Sequence, residues 1–277
     1  RSYSVTGVQT CALPISKPLA DTFQTNIPTS ESKTLPKAVD LSKYLPTPGN
    51  QGRQGSCVGW ATAYGYKTFH EKKERDWDVS KNQHIFSPAY IYNQINGGKD
   101  QGSSISTALE LVKNQGVATF ATAPYNPNDH LTQPSAAAKN EASKYRAAAW
   151  ERVDTQNIEG LKRVMADGNA VVIGMNIHQS FYNYKGGVYK SISGSLLGGH
   201  AMLIVGYDDS KKALKILNSW GTYWGEKGFA WVDYDLFKEH CKYGYVMYDV
   251  VDTKPDSTPK PPRSEERRVG KECRSRW

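Results

Sequence analysis

The run Gln51-Gly52-Arg53-Gln54-Gly55-Ser56-Cys57-Val58-Gly59-Trp60-Ala61 constrains this chain more than any other stretch. A glycine-rich polar loop there delivers one cysteine to the start of an apolar run able to form a helix. The first four N–H groups of a helix have no internal partner, and the helix dipole favours negative charge at that end. A thiol held in that position ionises more readily, and the thiolate is the nucleophilic form. A lone cysteine is more often a small buried hydrophobe. The loop by itself therefore leaves two readings of Cys57 open, nucleophile or packing residue.

Two later segments favour the first. Gly198-Gly199-His200-Ala201-Met202-Leu203-Ile204-Val205-Gly206-Tyr207 follows 143 positions after Cys57, and Leu214-Lys215-Ile216-Leu217-Asn218-Ser219-Trp220-Gly221-Thr222-Tyr223-Trp224-Gly225-Glu226-Lys227-Gly228-Phe229 comes soon after. Cysteine, histidine and asparagine in this order, spacing and context resemble the papain-like cysteine peptidases. The resemblance covers roughly residues 35–250, and Asn-Ser-Trp-Gly-x-x-Trp-Gly-x-x-Gly is its most specific part.

That resemblance implies an α+β fold of two lobes, an N-terminal helical lobe and a C-terminal antiparallel β-sheet or barrel lobe, with the active-site cleft between them. It implies a peptidase with Cys57 as nucleophile, His200 as proton shuttle, Asn218 as orienting group, and Gln51 with the Cys57 backbone N–H as oxyanion donors. Trp220 and Trp224 would cover the Asn–His hydrogen bond. Backbone near Gly102, Ser103 and Ser104 would hold an extended peptide, while Gly174 and Ala201 would line the pocket for the second residue before the cut. The sequence departs from the pattern at Val58, where tryptophan is usual after the nucleophile, and Trp60 is a candidate to supply that bulk. Gln54 stands where animal and plant members place a cysteine, so the expectation is the bacterial, disulfide-free type. Two rivals keep the same residues: an amidase or transpeptidase on cell-wall peptides, and a catalytically silent peptide-binding module.

The ends of the chain bear on its charge. Residues 1–16 and 263–277 back-translate into common sequencing adapters, and both are read as translated read-through and set aside. The six basic and three acidic residues of the tail, with Arg1, account for four of the eight net positive charges. The remaining balance gives no argument for a nucleic-acid partner. Setting the ends aside also leaves Cys57 and Cys241, so no disulfide framework is implied. No apolar run approaches the roughly 18 residues of a membrane span. No spacing of His, Cys and carboxylates suits a zinc site, so neither a metal nor another cofactor is expected. The partner is a peptide or protein substrate. Residues 17–34 read as a linker or leader remnant and 253–262 as a Pro-rich linker, leaving room for a lost propeptide or C-terminal module and leaning toward a secreted or surface location.

Between them, residues 35–125 read as the helical lobe and 126–252 as the β-rich lobe. Helices are expected from Val58 to about Glu74 with Ala61, Tyr64 and Phe69 inward, after the Ser87-Pro88 cap, after Ser104, over Ser135 to Ala149, and around Ile158, Leu161 and Met165. Gly59 and Gly65, unfavourable in a helix, suggest close approach of a neighbour. Strands are expected at Ala170–Ile177, Gly187–Lys190, Ala201–Tyr207, Ala213–Asn218, Phe229–Asp233 and Tyr245–Val250, with a hairpin turn at Asp208–Lys212. His70, His84, His130, His178 and His240 lack motif context.

Overall fold

The computed structural model describes residues 34–249; the expected adapter segments and linkers lie outside them. The helical part opens with a continuous run that starts at the cysteine. It is α-helical at Cys57–Gly59 (α1), widens to a π-helix over Trp60–Lys67, and returns to α-helix over Thr68–Arg75 (α2). The Thr62 hydroxyl donates to Val58 O at 2.7 Å in this widened segment. Gly59 explains itself by packing: a Cβ there would stand 2.5 Å from Pro88 O. Gly65 faces Leu203 and Leu217 of the sheet. Ala61 and Phe69 point inward as expected, but Tyr64 is only half-buried, because its hydroxyl reaches out to Thr47 O.

Helix α3 (Pro88–Ile95) begins where expected, the Ser87 side chain accepting from Tyr90 N–H with Pro88 in the first turn. Helix α4 (Ile105–Gln115) is capped by Ser104 and buries Ile105, Ala108, Leu109 and Val112. Its stop, Gly116, has φ +81° and packs against the Ala142 carbonyl, a position closed to any side chain. Helix α5 (Ala136–Ala142) is shorter than the alanine-rich sequence suggests. The residues beyond it form an edge strand instead, β2 (Ala147–Arg152), paired antiparallel with β8 (Cys241–Asp249). Local helix propensity is worth a few tenths of a kcal/mol per residue; here the ladder to β8 and the Trp150 Nε1–H bond to Glu110 outweigh it. Helix α6 (Ile158–Ala166) follows, capped by Asn157.

The other strands are β1 (Ala38–Asp40), β3 (Val171–His178), β4 (Val188–Tyr189), β5 (Leu196–Asp208), β6 (Ala213–Leu217) and β7 (Phe229–Asp233). Two short helices, α7 (Gln179–Tyr182) and α8 (Tyr234–His240), interrupt them and were not anticipated. The sheet order is β2-β8-β3-β5-β6-β7-β4, with β1 added to the far end of β5. This is the expected α+β, two-lobe arrangement, with two refinements. The sheet is open, ending in β2 and β4, not a closed barrel. It is also not wholly antiparallel, since β4 pairs with β7 in parallel.

The central strand is β5, thirteen residues long and flanked by β3 and β6. The Asp208–Lys212 turn joins β5 to β6, with Asp208 Oδ1 accepting from Ser210 N–H at 2.9 Å. That hairpin sets Leu203 opposite Leu217, so residues just before one and just after the other meet at the same end. Those residues are His200 and Asn218.

Candidate active site

His200 Nε2–H donates to Asn218 Oδ1 at 2.7 Å. The same oxygen accepts from Ser219 N–H at 2.8 Å, which fixes the amide orientation. Trp220 stacks on the imidazole, with ring centroids 4.7 Å apart and planes at 25°. Trp224 meets Trp220 edge-on at 5.2 Å and donates its indole N–H to Tyr182 O. One indole thus lies on the histidine and the second holds the first in place.

Cys57 comes to this cluster from the helical side. Its Sγ accepts from Ala201 N–H at 3.4 Å, so the sulfur sits against the peptide unit that joins His200 to Ala201. Gln51 is tied to the same place from a third direction. Its Oε1 accepts from the Ser219 hydroxyl at 2.6 Å, its backbone N–H donates to Ser219 O at 2.9 Å, and its Nε2 donates to Gln54 O at 2.8 Å. Four residues spread over 168 positions of sequence are therefore neighbours in space. All four are buried, with 0–3% exposure.

Several supporting residues have no local sequence signal. Tyr125 donates to Gln51 O at 2.8 Å and shares a 2.7 Å hydrogen bond with Ser56. Asp100 accepts from Gly55 N–H at 2.7 Å and from Tyr92 OH at 2.6 Å. Gln54 donates to Asn126 O and Asp129 O. Where a disulfide could have pinned the cysteine loop, side-chain hydrogen bonds to two other loops do so. Trp60 is buried against Tyr64 and Tyr125, beside Gly49.

The residues expected to bind substrate fall nearby. Gly102 lies against the cysteine loop, since a Cβ on Gly55 would stand 2.8 Å from its nitrogen. Ser103 is buried, and Ser104 is engaged as the α4 cap. Gly174 and Ala201 are cross-strand partners on β3 and β5, next to the sulfur.

Cys241, the other cysteine among the described residues, is a buried thiol pushed up to about 12 by desolvation. With no charge beside it, burial drives His200 down to about 4, against the opposing effect of its bond to Asn218. Burial also takes His70 down to about 3. Where no thiolate faces His200, both imidazoles are thus neutral in the folded protein at pH 7, whereas in an unfolded chain they protonate near 6.5. Folded pKa values below the unfolded one give stability that is complete above about pH 6.5 and is lost as pH falls toward 4. In a Cys57→Ser background, which offers no thiolate, the urea midpoint should therefore be lower at pH 4.5 than at pH 7, and the fall should be shallower when His200→Gln is added. An unchanged midpoint would contradict the neutral, buried imidazoles.

A cysteine loop at a helix start and a histidine–asparagine hydrogen bond under an indole define a thiol hydrolase of two-lobe architecture. The model of the papain family cysteine proteases matches residues 35–248. The chain belongs to that family, a class of hydrolases that act on peptide bonds. Among solved structures it is similar to xylellain, a cysteine protease from Xylella fastidiosa, with a TM-score of 0.68 and 28% identity over 78% of this chain and 87% of that one. It is also similar to procathepsin B S9 of Trypanosoma congolense, with a TM-score of 0.66, 20% identity, and 86% and 85% coverage. An uncharacterized peptidase C1-like protein of Acanthamoeba polyphaga mimivirus is 28% identical over 71% of this chain and 69% of its own length. Ananain of Ananas comosus is 26% identical, with 77% of this chain matched to 60% of its length. Relatives so mixed, viral, protist, plant and bacterial, do not support the expected bacterial assignment.

Proposed function

We propose that this chain is a thiol-dependent endopeptidase in which Cys57, His200, Asn218 and Gln51 act together. The single observation that carries the reading is the 2.7 Å bond from His200 Nε2–H to Asn218 Oδ1, with the Cys57 sulfur packed against the His200–Ala201 peptide. The bond commits Nε2 as donor and leaves Nδ1 as the nitrogen that exchanges a proton with the thiol.

Proton transfer from Sγ to Nδ1 gives a thiolate–imidazolium pair. Without that thiolate only the bond to Asn218 opposes the desolvation of a charged His200, which is why the ring alone titrates so low. A thiolate beside it supplies the missing counter-charge, and the two groups then stabilise each other's ionised form. The thiolate attacks the scissile carbonyl carbon, and the carbonyl electrons move onto oxygen. The Cys57 backbone N–H, at the start of α1, and the Gln51 side-chain amide donate to that oxygen; one such donor is worth about 3–4 kcal/mol. The imidazolium returns its proton to the leaving amine, releasing the first product and leaving an acyl-thioester. Neutral His200 then takes a proton from water, hydroxide adds to the thioester, and collapse restores the thiol and releases the acid. Asn218 holds the ring by a neutral hydrogen bond throughout. The substrate runs along the backbone near Gly102, Ser103 and Ser104 in extended form. The Gly174–Ala201 pair leaves room for an apolar side chain.

Iodoacetamide labelling of Cys57 as a function of pH, located by mass spectrometry, tests this assignment. Labelling should stay rapid down to about pH 4–5, as a thiol with a pKa near 3–4 requires. His200→Ala should move the profile to about 8.5, the value of an ordinary thiol. A wild-type profile that already rises only near 8.5 would remove the ion pair and favour a silent peptide-binding module. Buried Cys241 should stay unlabelled.

A further inference from the structure

On the far side of the helical lobe, a second cluster of reactive side chains takes no part in that chemistry. We infer that His70, Glu74 and Asp249 form a binding site for one divalent transition-metal ion of the zinc type, tying helix α2 to the end of β8. A ring nitrogen of His70 and one carboxylate oxygen each from Glu74 and Asp249 lie within 4.8 Å of one another. The inference is independent of the proteolytic reading.

His70 carries the argument. It is 8% exposed, stacked on Tyr66 at 4.9 Å, and its Nε2 has no hydrogen-bond partner among the described residues. A buried imidazole nitrogen with nothing to bond is costly and calls for an explanation. The Met247 backbone lies close to the ring, and Tyr66 OH and Asn169 Nδ2 donate to Met247 O, which holds that carbonyl in place. A backbone carbonyl beside the ring is the usual support for a metal-ligating imidazole.

The two carboxylates complete a ligand set. His70 and Glu74 are four positions apart on one helix and therefore share a face. Asp249 comes from β8, and Lys67 already donates to both its oxygens at 2.6 and 2.5 Å. An ionised carboxylate has about four lone-pair sites, so a metal ion can take one that Lys67 does not use. Bond lengths of about 2.0–2.2 Å to nitrogen and oxygen require ligand atoms roughly 3.3 Å apart. The contraction from 4.8 Å falls to Glu74, whose exposed side chain is able to swing inward. One imidazole and two carboxylates, with room for water as a fourth ligand, suit zinc and its first-row neighbours; calcium prefers an all-oxygen shell of six to eight ligands. Sequence spacing alone gives no such site, because Asp249 lies 179 positions from His70.

The test is calorimetric titration of the full chain with zinc chloride and with calcium chloride. Cys57→Ser serves as background, so that the thiol cannot act as a competing ligand. One zinc ion per chain should bind at this site and raise the thermal midpoint. Glu74→Gln and His70→Gln should each weaken that equivalent by more than about 100-fold, because losing even an outer-shell partner costs 10–100-fold. Glu74 is exposed, so its variant folds even where His70→Gln does not, and it decides the question alone. No zinc binding, or the same zinc binding in Glu74→Gln, overturns the site. Calcium binding as tight as zinc overturns the assignment to a zinc-type ion.

Discussion

Alanine in place of Cys57 should lower kcat on a fluorogenic peptide amide, assayed under reducing conditions, by roughly 10⁴- to 10⁶-fold, the range found when one member of a nucleophile–base unit is removed. His200→Ala should cost about as much. Without the imidazole the thiol stays protonated at neutral pH, and the leaving amine has no proton donor. The double variant Cys57→Ala/His200→Ala should lose little more than either single one, because the two groups act as a unit. Asn218→Ala should cost less. It leaves nucleophile and base in place and removes only the 2.7 Å bond that orients the ring, which Trp220 continues to hold by stacking. All four effects should fall on kcat with KM nearly unchanged, since none of these groups is assigned to substrate affinity. A His200→Ala protein within ten-fold of wild type would sink the mechanism.

The largest effect on stability should come from Lys67. Its ammonium is 1% exposed and lies between Asp249 at 2.5 Å and Glu71 at 2.8 Å, whose side chains are 2% and 3% exposed. Arg75 also pairs with Glu71, at the rim. Lys67→Met keeps the volume but takes the buried ammonium from between two carboxylates in a dry site. Breaking a buried pair in this way typically costs about 3–5 kcal/mol. Urea unfolding at pH 7 should show a loss of that order. Adding Asp249→Leu to Lys67→Met should recover part of it, since the penalty comes from the stranded charge and not from lost packing. A loss below about 1 kcal/mol in Lys67→Met would mean that water reaches the cluster and screens it. The cluster matters to the architecture because Lys67 is on the helix that begins at Cys57, and Asp249 is at the end of the sheet.

Much of the site was legible because its signals are local. Gly-Gly-His-Ala leading into a strand, and Asn-Ser-Trp-Gly just after the next one, are separated by a five-residue turn. A hairpin of that length must bring His200 and Asn218 together whatever the rest of the chain does. The caps at Ser87 and Ser104 and the stop at Gly116 were legible for the same reason, since each is satisfied within a few residues. The failures are equally physical. Ala147 to Ala149 looks helical because alanine favours helix, and only the ladder to β8 makes it a strand. β1 is three residues long and exists through its pairing with Asp208, Tyr207 and Gly206.

The sequence by itself determined which residues could do chemistry and the family to which the chain belongs, since residue type and short-range spacing suffice for both. Tertiary structure decided what those residues are attached to. Ser219 on Gln51, Tyr125 on the cysteine loop, Asp100 on Gly55, and Lys67 on a carboxylate 182 positions away are all contacts across the lobes or between loops. So is the company His70 keeps. A sequence records the groups, but the distance between groups far apart in the chain is set by how the sheet and the helices pack.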